Sequence, residues 1–267
     1  MSRRTPAALL LAALSVVAVA GCAQTAPAEP ATPAASSAAA DPQLSGAITV
    51  DAAASLNEVF PALATSFKAE HPGVEITFNF GGSSALAAAI VSGAPVDVFA
   101  AASPKTMQTV TDASLTASTP VVFARNELEI AVPPGNPGEV TGLQDFADAA
   151  KTIVVCAKEV PCGAAARGVF DLAKITAKPD SYEPDVTSVL TKVKGDEADA
   201  GLVYATDVQA AGDEVEGIPF DEADQAITDY PIASLKDSKN APLADAWVAY
   251  VQEHEAGLQA AGFLAPQ

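Results

Sequence analysis

Five short turns, each between an apolar β-rich run and a helical pattern, hold the groups of this 267-residue chain that could do chemistry together. In order they are Asp51-Ala52-Ala53-Ala54-Ser55-Leu56-Asn57-Glu58, Phe80-Gly81-Gly82-Ser83-Ser84-Ala85-Leu86, Val160-Pro161-Cys162-Gly163, Pro184-Asp185-Val186-Thr187 and Gly201-Leu202-Val203-Tyr204-Ala205-Thr206-Asp207. A strand that turns into a helix exposes backbone N–H groups that the helix cannot pair, and the helix dipole adds partial positive charge there. Open α/β sheets bind ligands at such turns, outside the carboxyl ends of their strands, and the helix N-terminus suits an anion. Ser55 with Glu58 three residues on has capping-box spacing, the glycines before Ser83 let the backbone curl, and Tyr204 puts a phenol at a strand's end. Taken singly, each turn is explained as well by an N-cap, a turn glycine or a packed tyrosine. Their combination is what carries information.

Other chemistries lack their parts. The two histidines, His71 in a Glu-His-Pro-Gly turn and His254 in a charged stretch, leave Ser55 and Ser83 without a general base. No Gly-x-Ser-x-Gly elbow, Walker loop or Rossmann glycine pattern occurs, so the sequence argues against an enzyme. No Cys/His cluster has zinc spacing, and no protein-held metal is expected. The formal charge of −19 repels nucleic acid and anionic headgroups.

The elements that must position the turns begin after a leader. Arg3 and Arg4 precede a fourteen-residue apolar run, Ala7 to Ala20, too short to span a bilayer, and Val19-Ala20-Gly21-Cys22 resembles a bacterial lipobox. Residues 1–21 thus read as a signal peptide, with lipidation of Cys22 expected to anchor the chain on the outer face of the cytoplasmic membrane. Residues 22–45, nearly all Ala, Pro, Ser and Thr beyond Cys22, cannot form a core and read as a tether. With Arg3 and Arg4 removed, the 14 basic residues fall to 12 against 33 acidic ones, a charge near −21. In that oxidising compartment, Cys156 and Cys162 read as a disulfide in preference to two free thiols.

The body, 46–267, is near the size at which one core divides in two. Strand-like runs (Ala47–Val50, Glu75–Phe80, Val96–Ala100, Glu129–Val132, Thr152–Cys156, Ala200–Tyr204) alternate with helical patterns (Leu56–Glu70, Ser84–Ser92, Ala164–Leu172, Val186–Lys194). That alternation predicts an α/β fold around largely parallel sheets. Leu56, Val59, Phe60, Leu63 and Phe67 form one apolar stripe, and Leu243, Trp247 and Val251 another in a final helix, Ala241 to Glu255.

In order and wording the turns resemble the molybdate-binding proteins of bacterial ABC importers, over essentially 46–263. The phrases are Ala52-Ala53-Ala54-Ser55-Leu56, Gly93-Ala94-Pro95-Val96-Asp97-Val98-Phe99, Val160-Pro161-Cys162-Gly163, Gly201-Leu202-Val203-Tyr204-Ala205-Thr206-Asp207 and Tyr230-Pro231-Ile232-Ala233. The resemblance implies a two-lobed periplasmic binding protein fold of type II, with 46–124 plus 225–267 as one lobe, 125–224 as the other, and crossings near Ala124–Asn126 and Asp221–Thr228. It implies an oxyanion held by the hydroxyls and amides of Ser55 and Ser83, the amides of Cys162 and Val186, and the hydroxyl of Tyr204. The ligand would be molybdate or tungstate, with sulfate or another tetrahedral oxyanion as the alternative and a surface lipoprotein without a transport role behind it. The partner would be a membrane ABC permease, the protein a monomer, and no cofactor is implied. Glu58 and Asp185, close to the proposed contacts, are expected to face away as helix caps.

Overall fold

The computed structural model describes residues 44–267; the expected signal peptide, the lipidation site Cys22 and all but the last two residues of the tether lie outside them. In chain order the first part runs β1 (Ser45–Ala53), a 3-10 turn at Ala54–Leu56, α1 (Val59–Glu70), β2 (Gly73–Gly81), α2 (Ser83–Val91), β3 (Val98–Ala100), α3 (Pro104–Asp112) and β4 (Val121–Asn126). A second part follows: β5 (Leu128–Val132), a 3-10 turn at Leu143–Ala147, β6 (Ile153–Cys156), α4 (Pro161–Ala173), β7 (Ser181–Glu183), α5 (Val186–Lys194), β8 (Ala200–Tyr204), α6 (Ala205–Ala211) and β9 (Glu216–Ile218). The chain then returns through β10 (Thr228–Ser234), α7 (Ala241–Glu253) and α8 (Glu255–Ala260).

These strands form two five-stranded sheets, ordered β2-β1-β3-β10-β4 and β7-β6-β8-β5-β9. In the first, β1 is parallel to β2 and β3, while β10 runs antiparallel to β3 and β4. In the second, β6 is parallel to β7 and β8, while β5 runs antiparallel to β8 and β9. Each sheet therefore has one reversed strand, in the same place, and that strand is the one entered directly after the chain changes sheets. The first change occupies a single residue, Glu127, between β4 and β5; the second lies between β9 and β10. Each sheet with its helices forms a lobe, which gives the two-lobed α/β fold.

Separate cores hold the lobes. In the first, Phe60, Phe67 and Trp247 bring the α1 and α7 stripes together edge-on, at 5.7 and 5.5 Å between ring centroids, over the face of β1 and β2. All three rings are essentially fully buried, and each large apolar side chain so buried stabilises by about 1.5–3 kcal/mol. In the second, Phe146 and Phe170 pack with the valines of β6 and α5.

Several boundaries differ from those read in the sequence. The predicted helix from Leu56 starts at Val59, because Ala54–Leu56 winds as a 3-10 turn, and the Ser55–Glu58 capping box does not form. Glu58 occupies the N-cap position of α1 but caps nothing with its side chain. Val160-Pro161-Cys162-Gly163 does not precede its helix: Pro161, with its fixed φ, is the first residue of α4. The final helix breaks at His254 into α7 and α8. Helix α3 went unpredicted, although Ser103, whose Oγ accepts from Thr106 N–H at 3.2 Å, and Pro104 behind it are start signals.

Candidate functional site

The five turns meet. A cavity of about 20 Å³ between the lobes is lined by Ser55, Ser83, Cys162, Val186 and Tyr204, together with Gly82, Ala102, Pro161 and Asp185 among others. Every residue expected at the site from the sequence is on its wall. One water needs roughly 10–15 Å³ and drug-sized ligands occupy about 300–1,000 Å³, so this space fits one small ion and excludes sugars, amino acids and peptides. Two larger hollows beside α4, of about 560 and 600 Å³, are lined by none of the five.

Each wall element is placed by its sequence. Ser83 begins α2, Cys162 is second in α4, and Val186 begins α5. N–H groups in these positions have no carbonyl within their own helix to bond, and each helix adds roughly half a positive charge at that end. Three helix N-termini from two sheets thus converge on one small space. Cys162 is linked to Cys156 by a disulfide, with Cα atoms 5.7 Å apart, which ties the start of α4 to the end of β6. Gly163, directly after this loop, packs against it so closely that a Cβ there would fall on the carbonyl of Ala157.

The hydroxyls are set up as donors. Ser83 Oγ accepts the N–H of Ala102 at 3.0 Å, leaving its own proton for the cavity. Ser55 Oγ lies 2.8 Å from Tyr230 Oη. Tyr204 ends β8, its N–H donates to Asp207 Oδ2 at 2.9 Å, and its buried hydroxyl has no hydrogen-bond partner, although Thr228 and Tyr230 are near enough to influence its pKa. Burial first, and the nearby Asp207 carboxylate second, push the Tyr204 pKa far up, so it stays a phenol and a donor. Asp185 is on the wall, and its carboxylate is engaged as the cap of α5: Oδ1 accepts from the N–H and hydroxyl of Ser188 at 2.8 and 2.9 Å. Glu58 lines an adjoining groove with Asn57 and Thr206, to which Ser55 also contributes, and is not on the cavity wall.

The serines have no catalytic company. His71 packs against Phe67 with its ring tilted, and His254 stacks on Tyr250 with Nδ1 2.8 Å from the Tyr250 carbonyl; neither is on the cavity wall. Among the described residues no group of His, Cys, Asp or Glu could hold a metal ion. No helix among them is long and apolar enough to cross a membrane.

Sequence reading missed two residues behind the wall. Tyr230 was legible only as part of a phrase, and its neighbour Pro231, which lacks the N–H a central strand needs, marks the register slip that was the available signal. Asp207 follows Tyr204 by three positions, a capping spacing, and burial raises its pKa from 3.8 to about 7, with the charge of Asp185 adding to the rise. The sign follows directly. Between about pH 4 and pH 7 the folded protein keeps a proton that the unfolded chain has released, so stability falls as pH rises through that window and then levels. Asp207→Asn, which retains an acceptor for Tyr204 N–H, is expected to flatten this part of the profile. Melting temperature from pH 4.5 to 8 is the check, and an unchanged slope would rule out Asp207 as the source.

Comparison with known proteins adds to this geometry. The family of bacterial extracellular solute-binding proteins matches residues 48–264. The molybdate-binding protein ModA of Mycobacterium tuberculosis is 41% identical over 216 residues, covering 81% of this chain and 83% of that protein. Among solved structures, the periplasmic molybdate-binding protein of Azotobacter vinelandii superposes with a TM-score of 0.72 over 82% of this chain and 100% of its own, at 18% identity. The sulfate-binding protein SubI of M. tuberculosis does so with 0.70 over 81% and 86%, at 14% identity. At those identities the two structures speak for the fold alone.

Proposed function

Since this chain belongs to the molybdate-binding proteins among the bacterial extracellular solute-binding family, we propose that it captures molybdate, and tungstate with it, for delivery to an ABC permease. The observation that carries the reading is the convergence of Ser55, Ser83, Cys162, Val186 and Tyr204 on one ion-sized cavity. It is a binder, not a catalyst: its serines meet a tyrosine and a backbone amide instead of a base.

No lysine or arginine is on the cavity wall, so neutral donors must replace the hydration shell of a doubly charged oxyanion. The amides and hydroxyls of Ser55 and Ser83, the amides of Cys162 and Val186 and the phenol of Tyr204 supply them. Hydrogen bonds to an ion are worth about 1.5–3 kcal/mol each, so a set of this kind offsets a large desolvation cost. A proton on the ligand would face donors and forfeit a bond, which selects for a fully ionised tetrahedral anion over hydrogen phosphate.

The lobes of this reading are 46–124 with 225–267, and 125–224; the strands divide between the sheets in the same way except that β4 carries Arg125 and Asn126 in the first sheet, up to the crossing at Glu127. The anchor is the lipid on Cys22, with the leader removed, and the working unit is a monomer on the outer face of the membrane. Titration calorimetry of the purified protein with molybdate, tungstate, sulfate and phosphate at fixed ionic strength tests the reading. Tight one-to-one binding of the first two, with sulfate weak and phosphate silent, is the expected result. A preference for sulfate would reassign the cargo, and silence toward all four would overturn the assignment of the site.

A further inference from the structure

The Ser55 hydroxyl can serve an anion only if its single proton points into the cavity, and the cavity wall does not fix that direction. The residues behind the wall do. Tyr230 Oη is 2.8 Å from Ser55 Oγ, and Asn126 Nδ2 makes a long contact of 3.5 Å with Tyr230 Oη and a bond of 2.8 Å to Thr206 Oγ1. Asn126 Oδ1 accepts the N–H of Glu127 at 3.0 Å, which turns the amide nitrogen toward Tyr230. An amide nitrogen only donates. Asn126 and Tyr230 are both completely buried, so water does not compete for these groups.

One order of donation uses every proton. Asn126 donates to Tyr230, Tyr230 donates to Ser55, and Ser55 keeps its proton for the cavity. In the opposite order the Tyr230 proton would face the Asn126 NH2, with Tyr204 Oη the other hydroxyl nearby and making no bond. That would leave a buried donor unpaired, which is costly.

We propose that Asn126 and Tyr230 are positioning residues, a one-way chain from the lobe crossing to Ser55 that commits the Ser55 hydroxyl to donate. The inference rests on the oxyanion reading of the cavity. Asn126 is the last residue of β4, beside the single-residue crossing, and its partner Thr206 belongs to α6 of the other lobe. The chain is therefore assembled where the lobes join, and it ties the polarity of the site to that junction.

The test uses the full chain, with molybdate and phosphate titrations on the unsubstituted protein and on Tyr230→Phe, Ser55→Ala, Asn126→Asp and the doubles with Ser55→Ala. Tyr230→Phe is expected to weaken molybdate about tenfold. Its effect should vanish when Ser55 is already alanine. Asn126→Asp presents an acceptor to Tyr230, reverses the chain and makes Ser55 offer a lone pair to the anion. That variant should lose at least as much molybdate affinity as Ser55→Ala, and should narrow the preference for molybdate over hydrogen phosphate, which can donate to the reversed hydroxyl. A merely structural role would not shift that preference. Losses that add in full to that of Ser55→Ala, or variants that bind as the unsubstituted protein does, would overturn the proposal. Should Tyr230→Phe fail to fold, Asn126→Asp decides alone. An unsubstituted protein that binds no oxyanion would overturn the underlying reading of the site, a result distinct from either.

Discussion

Alanine at position 82 is expected to abolish tight oxyanion capture while leaving the protein folded. Gly82 belongs to the first lobe, and a Cβ there would stand 2.4 Å from the carbonyl oxygen of Pro184 and 3.5 Å from Val160 Cγ1, both in the second. The near neighbour is backbone, which cannot swing aside as a long side chain would. Gly82 has φ −60° and ψ 120°, a conformation open to alanine, so the substitution brings no strain within its own lobe. Its effect falls on the approach of the lobes. The same seam carries the bond from Ser84 Oγ to the Glu159 carbonyl at 2.7 Å. Held apart by even about an ångström, the lobes could not both keep their donors within hydrogen-bond range of one ion. Losing two such bonds corresponds to about 3–6 kcal/mol, a hundredfold weaker binding or more. Calorimetry beside a melting curve separates the effects, and wild-type affinity in Gly82→Ala would mean that the ion is held with the lobes further apart than here.

Tyr204→Phe should weaken binding of the ion while leaving the fold intact. The Tyr204 hydroxyl is on the cavity wall and makes no close hydrogen bond to protein, so its removal takes no bond from the folded protein. Removing a donor to an anion should weaken molybdate by about 1.5–3 kcal/mol, on the order of tenfold to a hundredfold. Calorimetry beside a melting curve is the check: a packing tyrosine would leave the affinity unchanged, and a Tyr204→Phe protein that lost stability would place the hydroxyl in a structural bond instead.

How legible this was depended on the range of the cause. The stripes Val59, Phe60, Leu63 and Phe67, and Leu243, Trp247 and Val251, are buried because a 3.6-residue period faces one core, a local pattern. The turn residues carried their own signals in glycine, proline and hydroxyls, and the resemblance they support put all five on the cavity wall. The reversed strands β5 and β10 were not legible, since antiparallel pairing at the lobe crossings is a long-range choice with no period of its own. Ser55 shows the limit most clearly. Its spacing to Glu58 fits a capping box, yet its hydroxyl oxygen meets Tyr230, 175 positions away, and α1 starts only at Val59. Tyr230 and Asn126 act through that same distant contact, so no window of sequence around them exposes it.

The proposed donors are divided between the lobes: Ser55 and Ser83 on one, Cys162, Val186 and Tyr204 on the other. A solvation shell split in this way has a kinetic meaning. Either half alone covers one side of an ion and leaves the other to water, so a parted protein holds its cargo weakly and briefly. Residence time is then governed by how often the two halves separate, and by how many donor bonds a given ion keeps while they are together. A transporter that prises the halves apart has no need to outbid them with a stronger site of its own; leverage on the lobes is enough to empty the cage.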